Sequence, residues 1–421
     1  MKSGINRDVV IISCIFALSN TASGTLSPIW PIYIVELGAT MTELGLIFSV
    51  ASIAASALQI PSGLLSDRFG RKRLHAVGVL LGVIPPLMYG HAGRWLELLP
   101  LSVLAGISTG LTTAIRWTVV ADISPDEMAK AYSWNIAGML TGVTVGPFLG
   151  GFISDLYGIK SAFIACFLLY SATFLLSIML RETRSKPEEE PPMPPNDRRP
   201  LLKIALIFSA TNIIQGFGFY LTTPVSPIFM TTRFEVDYTQ LGIIYALGSG
   251  LPSILVQFPG GKMADMYSRR KLIISTIIFS SPFIATIPLS RNLIDLVLSL
   301  AINSLILNIA WPAYQALMMD STPPNRRGFI NGISATTMWI GMTAGSALSG
   351  FLWESFGASS PFYTAAIVFP LSALPFIWLG TAGQIGEKYC PKCYVFRTQK
   401  ENFCIVCGTR LKEIRVRPRE R

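Results

Sequence analysis

The segment QIPSGLLSDRFGRKRL at 59–74 returns as QFPGGKMADMYSRRKL at 257–272, displaced by 198 residues without a gap. Gln59, Pro61, Gly63, Asp67, Arg71 and Leu74 recur as Gln257, Pro259, Gly261, Asp265, Arg269 and Leu272. Asp122 and Pro125 answer Asp320 and Pro323 at the same displacement. GGFISDLYG at 150–158 answers SGFLWESFG at 349–357 at 199, and Leu44–Gly45 answers Leu241–Gly242 at 197. A correspondence carried over most of a half restricts the chain to two copies of one unit, related by an approximate twofold axis.

Each cassette lies between long apolar runs. The chain is 51% hydrophobic and only 14% charged, where a soluble protein carries about 25% charge. Twelve runs are long and apolar enough to read as membrane-spanning helices. They fall at 9–36, 43–65, 74–92, 96–121, 131–154, 161–180, 203–230, 238–263, 272–289, 293–319, 328–353 and 360–380, and are numbered helix 1 to helix 12. The first is too long, and too interrupted by polar residues, for the core of a cleaved leader. The fold expected is all-α: two pseudo-symmetric six-helix bundles in a bilayer, at 1–181 and 201–381. A Pro-rich, mixed-charge linker at 182–200 joins them, and a basic tail follows at 382–421.

Basic residues report orientation. Arg94, Lys160, Arg233 and Arg291 fall in one set of loops and Arg116 inside a helix, while the other 29 of the 34 Lys and Arg residues lie on the opposite side or in the termini. The bias predicts a multi-pass protein of the plasma or inner membrane with both termini in the cytoplasm.

Cys14 and Cys166 stand alone in apolar runs and read as packing residues. Cys390, Cys393, Cys404 and Cys407 are spaced C-x2-C-x10-C-x2-C. Two such knuckles let four thiolates close a tetrahedron around Zn2+, and on the reducing side they favour metal over disulfides. The pattern looks like a structural zinc ribbon. It is free to stabilise, to sense, or to dock a cytoplasmic protein partner. A solvated basic tail explains its charge better than nucleic-acid binding does.

GLLSDRFGRKR at 63–73, the twelve runs, the duplication and the central linker resemble the major facilitator superfamily of secondary transporters over about 1–380. Gly138, Gly142, Gly146, Pro147, Gly150 and Gly151 in helix 5 are similar to the motif of its drug and metabolite exporters. Half two keeps Gly341, Gly345 and Gly350 but has Ser346 in place of the proline. One position departs: Ser102, four before Gly106, stands where those exporters usually carry an arginine. That weighs against exporter-type proton coupling.

The resemblance implies a gate on the cytoplasmic side. Gly63 would let a neighbouring helix pass close to the backbone. Asp67, four residues before Arg71, would join it and Asp122 in a cluster facing the positive end of helix 11. Gly261, Asp265, Arg269 and Asp320 would repeat the device in half two. A charge set serving only topology is the plainer alternative. The helix 5 glycines offer a smooth face, for which Gly248 and Gly250 of helix 8 are a candidate partner.

In the resembled fold helices 1, 4, 7 and 10 line a central pathway. Polar residues at that depth are substrate candidates: Asn20, Arg116, Asn212, Gln215, Asn308 and Tyr314. Arg116 lies about 9 Å deeper than Asp122 along helix 4. It has two readings, an anion contact or a charge that snorkels or pairs locally. The Asn, Gln and Tyr residues are equally suited to bonds between helices. His75 and His91 read as helix-end residues, which leaves no Asp, Glu or His near a helix centre to carry a coupling proton. No paired carboxylates, nucleophile elbow or phosphate loop points to an enzyme. The expectation is transport of a small organic molecule, by efflux with a possible proton exchange. Uptake of a polar metabolite, or a membrane sensor whose ribbon recruits a partner, are the alternatives.

Overall fold

A computed structural model describes residues 7–123, 128–182, 195–322 and 326–379, with 388–389, 396–397 and 410–413 of the tail. Twelve helical rods run through it. Half one holds helix 1 (Arg7–Leu26, continued by Trp30–Glu36), helix 2 (Met41–Phe69), helix 3 (Arg71–Tyr89), helix 4 (Leu98–Ile123), helix 5 (Met128–Tyr157) and helix 6 (Ile159–Met179). Half two holds helix 7 (Pro195–Thr222, continued by Ser226–Phe234), helix 8 (Tyr238–Met266), helix 9 (Arg269–Leu289), helix 10 (Leu293–Ser321), helix 11 (Arg327–Phe356) and helix 12 (Ser360–Leu379). Among the described residues, ten of these are apolar and long enough to cross a membrane by composition alone. Helix 3, opening on RKR, and helix 11, rich in Gly, Ser and Thr, are the other two.

The duplication extends to details of the backbone. Helix 1 breaks after Leu26 and resumes one residue before Pro31, and helix 7 breaks after Thr222 and resumes one residue before Pro227. Proline has no N–H to continue a preceding turn, yet suits the first turn of a new helix. Helices 2 and 8 open on matching capping boxes, Thr40 with Glu43 and Asp237 with Gln240. Gly158 and Gly357 make the tight joints into helices 6 and 12 with φ of 84° and 92°, where a side chain would strain the turn. Helix 8 carries a π turn at Ala246–Gly250.

Each half has a buried core. Phe16, Ile115 and Val119 centre that of half one, and Phe208, Tyr314 and Phe376 that of half two. Large apolar side chains also cover the outside, among them Leu64, Phe258, Ile294 and Ile367, as lipid-facing surface requires. Buried Ser and Thr hydroxyls mostly return to carbonyls three or four residues back, as Thr173 does to Leu169 and Ser177 to Thr173.

Candidate functional site

The two halves close on each other at the end opposite the Asp67 loop. There the N–H groups that begin one half's helix meet a carboxylate that ends the other half's. Thr42 N–H of helix 2 donates to Glu354 Oε1 of helix 11 at 3.1 Å, and the Thr42 hydroxyl donates to the same carboxylate. Tyr238 and Thr239 N–H of helix 8 donate to Asp155 Oδ1 and Oδ2 of helix 5 at 3.2 and 2.6 Å. Asp155 and Glu354 are repeat mates, and so are Thr42 and Thr239. The bonds therefore form a twofold-related pair, each satisfying orphan donors at a helix start. The Tyr238 hydroxyl adds a bond to Glu36 at 3.0 Å.

Small residues bring the backbones together below these caps. A Cβ on Gly350 would overlap the Met41 carbonyl oxygen, and one on Gly151 the Tyr238 carbonyl oxygen. Gly45 lies likewise against Ser346, and Gly242 against Pro147. Ser49 Oγ bonds the Thr343 carbonyl at 3.0 Å and Ser346 Oγ at 2.9 Å.

This arrangement corrects the expected partner of the helix 5 motif. Gly138, Gly142, Gly146 and Gly150 pack on helix 1 of the same half, at Ser13, Ala17, Thr21 and Thr25. Pro147 and Gly151 face helix 8. Gly250 meets Thr144, but Gly248 turns to Leu300 within half two. Gly341 and Gly345 pack on helix 7 at Ile213 and Phe217.

At the other end the gate residues stand differently from expectation. No described atom lies within 4 Å of a Cβ built on Gly63, Gly261 or Gly332. Among the described residues no helix passes close to Gly63 in this conformation. Arg71 pairs with Asp122 and sits 3.4 Å from Asp67. Its side chain is 11% exposed against 57% for Asp67, so Asp67 is the solvated member. Arg269 pairs with Asp320 in the second copy, with Asp265 four residues before it. Arg270 binds the carbonyls of Phe376 and Ile377 in helix 12 at 2.7 and 2.8 Å.

The six pathway candidates do not converge. Asn20 and Arg116 line a cavity of about 70 Å³ inside half one, between helices 1, 3, 4 and 6. Arg116 donates to Ser19 Oγ at 2.7 Å and stacks 5.3 Å from the Phe16 ring centre. In half two the Tyr314 hydroxyl donates to Asn212 Oδ1 at 2.8 Å, and Asn212 donates to the Ser334 carbonyl at 3.1 Å. Both are buried among the rings of the half-two core, so they join helices rather than line a passage. Asn308 is bonded to Ser253 at 3.1 Å and to the Ser304 carbonyl at 2.9 Å. Gln215 is half-buried.

The cavity holds one residue that sequence reasoning did not assign to a site. His75 does lie in the second turn of helix 3, near its end, but it is 1% exposed and lines the same cavity as Arg116. Its repeat mate Ile273 is also 1% exposed. A histidine matched to a core isoleucine was the available signal.

Cys390, Cys393, Cys404 and Cys407 lie outside the described residues. Among the described residues no group of three or more His, Cys, Asp or Glu side chains is placed to hold a metal ion. Three short strands, β1 (Lys388–Tyr389), β2 (Phe396–Arg397) and β3 (Lys412–Glu413), form an antiparallel sheet in the order β2-β1-β3. Tyr389 pairs with both Phe396 and Lys412.

The sequence profile of the Major Facilitator Superfamily matches residues 12–214 and 208–387. An uncharacterized MFS-type transporter of Methanocaldococcus jannaschii is 27% identical over 380 residues, covering 86% of this chain and 95% of that one. Multidrug resistance protein 2 of Bacillus subtilis is 25% identical over 399 residues, covering 90% and 97%. In fold, the chain is similar to a bacterial homologue of the human lysosomal transporter Spinster, in an inward-facing and occupied conformation. The TM-score is 0.70 at 14% identity, over 89% of this chain and 96% of that one. The matched profile spans both halves, and with the twelve-rod architecture it assigns the protein: it belongs to the major facilitator superfamily and is a multi-pass membrane transporter, not an enzyme.

Proposed function

We propose that the chain exports small organic solutes by alternating access, with the Glu354 end outside and the Asp67 end and both termini in the cytoplasm. The observation that carries this reading is the twofold-related seal at one end combined with the open space at Gly63 and Gly332 at the other. A protein built of two similar halves that meet at one end has a natural counterpart state, in which they meet at the other. The Asp67–Arg71–Asp122 cluster would be completed by helix 11 in that state. Relatives named for multidrug resistance, at 22–26% identity over most of their length, favour export. The test is flux of a fluorescent organic solute in proteoliposomes of known orientation. Export predicts movement from the face bearing the termini, and movement only toward that face would overturn it.

The tail carries a separate assignment. Cys390, Cys393, Cys404 and Cys407 would hold one structural Zn2+. Support comes from the strand register: Tyr389, Phe396 and Lys412 share one end of the sheet. Cys390 follows Tyr389 directly, Cys393 precedes Phe396 by three residues, and Cys407 precedes Lys412 by five. At about 3.5 Å per residue, both knuckles are tethered within reach of that shared end. Four thiolates there suit zinc, which would supply folding energy that so small a sheet lacks.

A further inference from the structure

The cavity inside half one has an unusual lining for membrane depth. Ser19, Asn20 and Ser23 come from helix 1, His75 from helix 3, Ser108, Thr109, Thr112 and Arg116 from helix 4, and Tyr170 and Thr173 from helix 6. Most of the hydroxyls are already used. Ser108 donates to the Gly78 carbonyl at 2.7 Å, Thr112 to the Ser108 carbonyl at 2.9 Å, and Ser23 pairs with the Tyr170 hydroxyl at 2.8 Å. Two groups are not satisfied in this way. Arg116 carries a full charge, and among the described residues its polar partner is a neutral hydroxyl rather than a carboxylate. His75 is 1% exposed, and among the described residues neither Nδ1 nor Nε2 has a hydrogen-bond partner.

An unpaired guanidinium and an unbonded imidazole are both costly in a low-dielectric interior. They are also complementary. A singly charged oxyanion beside them would neutralise Arg116, accept its free N–H groups, and give a protonated His75 a partner. The charged and titratable groups that line the cavity are Arg116 from helix 4 and Tyr170 from helix 6, with only hydroxyls and an amide from helix 1. None is an anion at neutral pH. The volume, about 70 Å³, holds a few waters or a group the size of a carboxylate, and not a whole drug-sized molecule. Ser23, on the cavity wall, is an exposed residue and gives the site an opening.

We infer that Arg116 and His75 together bind the carboxylate of a small organic anion, and that His75 takes up a proton as the anion enters. The inference rests on the transport reading above and names the solute class for it. Linkage fixes the sign. Without the anion, a proton on His75 would sit beside the Arg116 charge and be repelled. With the anion, the proton is favoured, so each ligand strengthens binding of the other by the same factor. No covalent bond changes: one proton joins a ring nitrogen of His75 on binding and leaves with the anion on release. Anion and proton then cross as a neutral pair. Export would follow the solute's own gradient and the pH gradient, with no contribution from the membrane potential.

The test uses the purified full chain in chloride-poor detergent buffer, with formate as probe. Formate should raise the thermal midpoint of the wild type, more at pH 6 than at pH 8. In weak buffer near neutrality it should draw protons from solution, approaching one per formate bound. R116Q should weaken formate binding by about tenfold or more, the loss expected for a charged hydrogen-bond partner. H75Q, or H75N should that variant fold better, should bind formate more weakly at pH 6, lose the difference between pH 6 and pH 8, and lose proton uptake. No formate-dependent shift in the wild type, or the same proton uptake in the His75 variant, would overturn the inference. Flux of two fluorescent solutes in liposomes, one uncharged and one bearing a carboxylate, reports transport itself. Flux of the uncharged solute alongside failed formate binding would remove the carboxylate assignment alone, whereas absence of flux for both solutes would count against the transport reading.

Discussion

Asp155, ending helix 5, accepts the backbone N–H of Thr239, the second residue of helix 8, at 2.6 Å. Its repeat mate Glu354 does the same for Thr42 of helix 2 at 3.1 Å. Both bonds cross between halves, so both exist only while this end is closed. Asp155→Asn and Glu354→Gln keep an acceptor oxygen but remove the charge. A charged acceptor is about twice as strong as a neutral one, and exposure reduces the difference. Each change should cost the closed end about 1 kcal/mol, a roughly fivefold population shift. The two should add, because they act at separate contacts. Spin-label distances across this end would measure the shift, and an unchanged distribution in the double variant would deny the caps a gating role.

The glycines divide by conformation. Gly350 and Gly151 have carbonyl oxygens of the other half where a Cβ would stand, while Gly63 and Gly332 have open space. Gly350→Ala should therefore hinder closure at the Glu354 end, since backbone rather than a flexible side chain is in the way. Gly63→Ala should be silent in this conformation and slow turnover by obstructing the opposite closure. A thermal midpoint lowered by Gly350→Ala but unchanged by Gly63→Ala, with flux reduced in both, is the expected pattern.

Within the charge cluster the partners of Arg71 are unequal. Asp122 is 26% exposed and in direct contact, and Asp67 is 57% exposed at 3.4 Å. Among the described residues Arg71 Nε has no partner of its own. Asp122→Ala would leave a mostly buried guanidinium without its main counter-charge, at a cost of about 1–3 kcal/mol. Asp67→Ala should cost this conformation under ~1 kcal/mol. If Asp67 acts in the counterpart state, its loss should instead shift the equilibrium toward the conformation described here. Equal loss of stability in the two variants would contradict the ranking.

Much of this could be read from the chain. The apolar runs supplied the rods, the repeat displacement the halves, and the family resemblance the pairing of Arg71 with Asp122 and, through the repeat, of Arg269 with Asp320. What it concealed was direction. Gly142 and Gly151 look alike in sequence, yet one packs on its own half and the other across the interface. The carboxylates Asp155 and Glu354 lay in an aligned segment, but their partners are backbone N–H groups, which leave no residue signature. His75 does lie near a helix end, with three basic residues before it. Yet helix 3 starts at Arg71 directly after Gly70, so its fifth residue is already inside the bundle.

The ribbon assignment predicts a metal content. Cys390→Ser with Cys404→Ser removes one thiolate from each knuckle, and two remaining ligands bind zinc weakly. Elemental analysis should find about one zinc per chain in the wild type and almost none in the double variant. Removing 385–421 should leave solute flux intact if the tail stabilises or regulates. Full zinc content in the double variant would exclude these cysteines as the ligands.

Tyr314 separates structure from passage. Its hydroxyl bonds Asn212, and the Asn212 amide reaches helix 11 at the Ser334 carbonyl, so one chain of bonds ties helices 10, 7 and 11. Tyr314→Phe keeps the ring against Phe208 and Phe376 but leaves the Asn212 carbonyl oxygen buried without a donor. The cost should be about 1–3 kcal/mol of stability. Because the pair is buried within half two, the preference among solutes should not change. A thermal midpoint lowered at constant solute selectivity is the expected result, and altered selectivity would return Tyr314 to the pathway.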